Sequence, residues 1–98
     1  MRLIYHPEAE AELIAAAQYY ERRVGTLGAQ LLADADRAVS MILDTPERWR
    51  IVEDDVRSYP MHRFPYAIYY RAHSDRVHIL AFKHHSRYPD YWRSRISD

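Results

Sequence analysis

At 98 residues, with 48% hydrophobic and 29% charged residues, the chain has the size and balance of one globular domain spanning 1–98 and too few residues for two cores. Fourteen Lys and Arg cancel fourteen Asp and Glu, and no stretch approaches the run of about 18 to 20 apolar residues that crosses a bilayer, which excludes a transmembrane chain and a disordered one. The absence of cysteine excludes disulfide staples and thiolate chemistry; the opening MRLIYHPEAE lacks a secretory-signal pattern, so the cytoplasm is the expected location.

Arg2 to Tyr5 reads as a short strand. Pro7 followed by Glu8, Glu10 and Glu12 predicts a helix start, because proline suits the first helical position and acids favour the positive end of the helix dipole. Leu13, Ala16 or Ala17, Tyr20 and Val24 then recur at helical spacing, Arg22 and Arg23 sit at the negative end, and Gly25 can supply a left-handed stop. A second helix is expected from about Thr26 to Gly28, with Leu27, Leu31, Ala35, Ala38 and Ile42 as its apolar stripe, ending before Thr45-Pro46. So short a connection predicts an antiparallel helical hairpin.

The segment PERWRIVEDD reads as irregular, with Glu53, Asp54 and Asp55 as a solvated loop. Beyond it, Val56 to Arg63, Tyr66 to Ala72 and Arg76 to His84 are rich in Tyr, Ile, Val and Phe and predict three strands. The turn residues at 73–76 make the last two a hairpin, and Pro60 and Pro65 fit only an edge, a bulge or a strand start. The tail from Pro89 carries Tyr91, Trp92, Arg93 and Arg95 and reads as a short helical turn on the sheet. The order gives an α+β fold: an N-terminal strand, then a helical hairpin packed on one face of an antiparallel sheet, the other face being left for function. In the last strand Val77, Ile79 and Ala81 alternate with His78, Leu80, Phe82 and His84, and pattern alone does not say which set meets the helices.

Charge is unevenly distributed. Residues 1–56 hold six Arg against eleven acids, net −5, whereas residues 57–98 hold eight Lys or Arg against three Asp, net +5, with five of the six histidines. A polyanion would meet the second half. The segment KHHSRYPDYWRSR gathers Lys83, His84, His85, Arg87, Tyr88, Tyr91 and Arg93 at a strand end. Metal-free RNA cleavage needs a base, an acid and cations around the phosphate; His84 or His85 could act as the first two and Arg87, Arg63 or Lys83 as the clamp. The same residues equally suit an acidic protein segment or plain solvent exposure. Tyr66, Tyr69 and Tyr70 could stack bases but also suit a sheet core. Neighbouring His84 and His85 diverge on leaving a strand, and no other ligand completes a metal site, so neither metal nor cofactor is expected. With two glycines there is no phosphate-cradling loop.

Five stretches together, HPEAEAELIAAAQYYERR, LGAQLLADADRAVSMI, TPERWR, VRSYPMHRFPYAIYYR and RVHILAFKHHSRYPDYW, resemble toxins of the ParE and RelE type, especially the ParE-like branch described as plasmid stabilisation proteins. The resemblance covers nearly the whole chain and implies a strand-helix-helix-strands fold, a cognate antitoxin encoded nearby and growth arrest when that antitoxin is lost. It further implies one of two targets: DNA gyrase for ParE-like members, messenger RNA on the ribosome for RelE-like ones. RelE-like nucleases carry an arginine in the strand corresponding to PYAIYY, where this chain has Tyr66, with Arg63 upstream. Near neutrality also weakens the hold on ribosomal RNA. Both features favour an inhibitor whose Arg57, Arg63, Lys83, His84, His85, Arg87, Tyr91 and Arg93 engage gyrase. His84, Arg87 and Tyr88 nonetheless fall about where nuclease relatives carry catalytic groups, so a metal-independent endoribonuclease using these residues and Arg63 remains the alternative. A non-toxic binding module of the same fold is the third.

Overall fold

The computed structural model describes residues 1–97. Its elements run β1 (Arg2–Tyr5), α1 (Pro7–Arg23), α2 (Leu27–Asp44), β2 (Arg50–Glu53), β3 (Val56–Pro60), β4 (Tyr66–Ala72), β5 (Arg76–His84) and a 3-10 turn (Arg93–Ser97). The sheet order is β1-β5-β4-β3-β2. All neighbours are antiparallel except β1 and β5, so the sheet is mixed. The expected α+β architecture is therefore present, with one parallel pairing that strand periodicity does not encode.

Local chemistry explains the helix ends. His6 Nδ1 accepts the Glu8 N–H at 3.1 Å, and Pro7 opens α1 without losing a donor. At the hairpin the expected left-handed glycine is not used: Gly25 lies outside the left-handed region and Thr26 adopts φ 78° instead. The Glu21 carboxylate accepts the N–H groups of Thr26 and Gly28, both at 2.9 Å. These bonds, led by that to Thr26, hold the Glu21 carboxyl below the usual carboxylate range. Gly28 is fixed by close approach, for a Cβ there would lie 2.3 Å from the Ala17 carbonyl oxygen.

Four expectations along the chain change. The first of the three predicted strands stops at Pro60, not Arg63, because Pro60 ends the ladder. PERWRIVEDD contains β2, which pairs with β3 around a turn with Asp54 at φ 50°. The acids there are also not merely solvated: Glu53 binds Arg93 and Asp55 binds Arg71, each through two hydrogen bonds. Finally, Val24 is exposed and leaves the α1 stripe.

A bulge decides the sheet faces. Tyr69 pairs with Ala81 but Tyr70 pairs with Ile79, so Leu80 is the extra residue in β5. Alternation reverses there. Val77, Ile79 and Phe82 join Ile68, Tyr70 and Tyr59 in the core beneath the helices, against Ala9, Ala16, Leu31, Ala35 and Ile42. Leu80 and Ala81 turn to the opposite face, where the C-terminal segment lays Trp92 on Val56 and Tyr69. Each set predicted by strict alternation is thus split at residue 80.

Candidate functional site

The basic residues pooled by the sequence separate into distinct places. Arg57 is structural: its Nη1 donates to the carbonyls of Glu47 at 3.0 Å and Trp49 at 2.8 Å, tying down the loop before β2. Arg63 turns toward α2, binding Asp34 at 3.1 Å and Gln30 at 2.7 Å. It borders a groove whose floor is Ala38, Met41, Tyr59 and Met61, and Arg37 shares the Asp34 carboxylate.

His84 and Arg87 do come together. They line a groove between α1 and the sheet end with Glu12, Tyr19, Tyr66 and Phe82. Tyr66 stacks on Phe82 with centroids 4.5 Å apart, and His84 stands edge-on to Tyr66 at 5.0 Å. The His84 Nδ1 accepts the Ser86 N–H at 3.0 Å and lies 2.8 Å from its hydroxyl, which fixes the ring. Burial raises the Tyr66 hydroxyl above its ordinary pKa. Arg87 lies over the Tyr91 ring at 3.9 Å and 3.5 Å from Glu12. Arg63 and Tyr88 line other grooves, so the four nuclease candidates do not form one constellation.

Two residues that the sequence did not single out organise this region. β5 runs beyond the end of β1, leaving its outer edge without a strand neighbour at Leu80 to Phe82. Side chains take over there: Glu12 Oε1 accepts the Phe82 N–H at 3.0 Å, and Arg95 Nη1 donates to the Leu80 carbonyl at 3.0 Å. Arg95 and Glu12 also form a two-bond ion pair, each bond 3.0 Å. Burial works against the charge on Arg95, but Glu12 outweighs it and its pKa is raised. Burial, then the Glu12 carboxylate, raise the Tyr91 hydroxyl as well. No local pattern marks a glutamate and an arginine 83 residues apart as partners.

On the opposite face the C-terminal charges are matched. Arg93 binds Glu53 at 2.6 Å and Asp90 at 3.0 Å, and Arg71 binds Asp55 at 2.9 Å. Tyr88 is 76% exposed and borders the same trough as Arg93. Lys83 and His85 belong to this face too, because Lys83 pairs with Ala67, and His85 lines a groove with Ser58, Ala67 and Tyr69. His84 and His85 therefore border different grooves. Among the described residues no group of three or more His, Asp or Glu could hold a metal ion.

This architecture carries a recognisable sequence signature. The profile of the ParE toxins of type II toxin-antitoxin systems, parDE, matches residues 3–89. The chain belongs to the ParE toxin family. A solved structure from P. aeruginosa, described as a chromosomal ParDE toxin-antitoxin system, superposes with a TM-score of 0.76 at 22% identity, covering 86% of this chain and 95% of that one. That likeness establishes a shared ParE fold. No curated protein matches the chain. No helix among the described residues of this ParE-family chain is long and apolar enough to cross a membrane.

Proposed function

We propose that the chain acts as the toxin of a type II pair, held inactive by a cognate antitoxin encoded nearby and arresting growth when released. The observation that carries this reading is the family match across residues 3–89, spanning every element except the terminal turn. The inhibitory target is DNA gyrase, and the chain works by binding rather than by cutting RNA. Support comes from the site: Tyr66 packs on Phe82 in the strand where a nuclease arginine would be expected. Arg63 and Arg87, two of the three candidate phosphate clamps, face Asp34 and Glu12 and lie in separate grooves. Transition-state stabilisation needs cations aimed together at one phosphate. An acidic, partly apolar antitoxin segment that orders on binding would suit the apolar groove rimmed by Arg37 and Arg63.

Expression of the chain alone should stop growth, and co-expression with the adjacent gene should restore it. Purified protein should inhibit supercoiling by gyrase at concentrations comparable to those that arrest cells. Unchanged supercoiling together with new messenger RNA 5′ ends by primer extension would replace this reading with the endonuclease, whose His84 and Arg87 share a groove. Normal growth would favour the non-toxic module.

A further inference from the structure

Part of the helix-free sheet face carries polar donors that no side chain among the described residues engages. The strand register aligns Arg50, Ser58, Tyr69 and Ala81 in one row across β2 to β5, and Pro60, Ala67 and Lys83 in the next. His85 follows on, and a groove is lined by Trp49, Arg50, Ser58, Pro60, Ala67, Tyr69 and His85. No carboxylate among the described residues lines it. Among the described residues Arg50 and His85 have no side-chain partner and the Ser58 hydroxyl makes no hydrogen bond. Lys83, beside the groove, is only 7% exposed, yet its ammonium donates solely to the His84 carbonyl, at 3.2 Å.

We infer that this groove binds a phosphodiester of a single-stranded nucleic acid, with Arg50, Ser58, Lys83 and His85 around the phosphate and the Tyr69 ring available to a base. A guanidinium, an ammonium, a hydroxyl and an imidazole are donors that a phosphate oxygen accepts from, and uncommitted donors without a competing acid define an anion site. An extended strand fits better than a lone carboxylate, because Arg50 and Tyr69 also border the adjoining trough, where Tyr88 is exposed and Arg93 is already paired with Glu53 and Asp90. The two grooves share Arg50 and Tyr69, and the exposed Tyr88 ring beyond them offers a second aromatic face for a successive base. A chain of zero net charge lacks long-range attraction for nucleic acid. The site should therefore hold one or two phosphates at short range, with a shallow salt dependence. This inference goes beyond gyrase inhibition and does not depend on it, since binding is measured without gyrase. It also separates binding from the His84 and Arg87 groove, which belongs to the α1 side.

The test is fluorescence anisotropy of the purified full chain with labelled single-stranded DNA and RNA oligonucleotides of identical sequence, a duplex, and inorganic phosphate as competitor. Both single strands should bind in low salt, more tightly than the duplex. Arg50→Gln and His85→Gln, at side chains without structural partners, should each weaken binding by roughly tenfold, the order of one charge-assisted contact. Arg50→Gln should also lower the slope of log K against log salt by about 0.7. Lys83→Met keeps the buried stem and should weaken binding similarly, with an unchanged circular-dichroism spectrum showing that the fold persists. Phosphate should compete at millimolar concentration. Absence of single-strand binding in low salt overturns the inference, as does binding insensitive to Arg50→Gln and His85→Gln but lost in Arg87→Gln. Polyglutamate binding to the same donors while oligonucleotides do not bind would assign the groove to an acidic protein segment and likewise overturn it.

Discussion

The helix-free face has two halves of opposite character. Under the C-terminal segment, Trp92 is 2% exposed on an apolar patch, and Arg71 and Arg93 each meet carboxylates. Across the same strands Arg50 and His85 meet none among the described residues. The difference teaches what a basic residue is for in this chain. Where the chain folds back on itself, its acids are consumed in holding the tail; where it does not, cations remain available to a partner. The sequence dipole of −5 and +5 is thus largely matched internally, since Arg63, Arg71, Arg87, Arg93 and Arg95 of the second half pair with Asp34, Asp55, Glu12 and Glu53 of the first, and Arg50, from the acidic half, is left for recognition.

Breaking the covered half should cost the most. Trp92→Ala removes a buried indole from Val56, Leu80 and Tyr69 and also the Nε1–H bond to the Pro89 carbonyl. Loss of about 3 to 5 kcal/mol is expected from urea unfolding. Arg95→Ala should cost about 3 kcal/mol, because it removes the two-bond partner of Glu12, leaving that carboxylate to Arg87 and the Phe82 N–H, and leaves the Leu80 carbonyl without its donor. Glu12→Gln should cost less, since the amide oxygen can still accept the Phe82 N–H. If both variants instead unfold like the parent protein, the tail is not anchored by this pair.

The uncovered half predicts the reverse. Arg50→Gln and His85→Gln should leave the urea midpoint within about 0.5 kcal/mol of the parent, as exposed positions without partners do. A large loss at either position would mean that these donors hold the fold and would erase the contrast. Tyr70→Phe, on the helix side, is an intermediate case. Its hydroxyl donates to the Pro46 carbonyl at 2.6 Å, and burial pushes its pKa up to about 12. About 1 kcal/mol should be lost, measured in the same way.

The helices were legible in the sequence because apolar periodicity runs over 17 and 18 residues, with Pro7 and first-turn acids marking the start of α1 and Thr45-Pro46 the end of α2. β4 and β5 were legible for the same reason, being rich in aromatic and β-branched residues. β2 was hidden, since four residues, RIVE, between charged neighbours have no periodicity of their own and become a strand through pairing with β3. The face assignment failed at Leu80, because a bulge is set by the ladder and not by residue type. The same shift explains the site. Lys83, His84 and His85 look like one cluster in sequence, yet strand geometry directs Lys83 and His85 to the face of Ala67 and His84 to the groove of Tyr66. Glu12 and Arg95 required tertiary contact to be seen at all.

The smallest effect concerns His78, which shares the helix-free face at the covered end, opposite Arg71. Burial comes first in lowering its pKa, followed by His6, His73, Arg76 and Arg71, so the folded state resists its protonation. In the unfolded chain its pKa returns to about 6.5. As pH falls through 6.5 the unfolded state binds a proton that the folded state does not, and stability declines toward the lower folded pKa; above 6.5 both forms are neutral and the penalty is absent. His78→Gln should therefore flatten the fall in thermal midpoint between pH 7.5 and 5.5 while leaving the value at pH 7.5 nearly unchanged. His6 stands 6.4 Å from His78, ring to ring, and caps α1 through Nδ1. An identical pH profile in the two proteins would show that His78 titrates as it does in water. In that case the surrounding cations would not be acting on it, and the covered half would be more open to solvent than its matched charges imply.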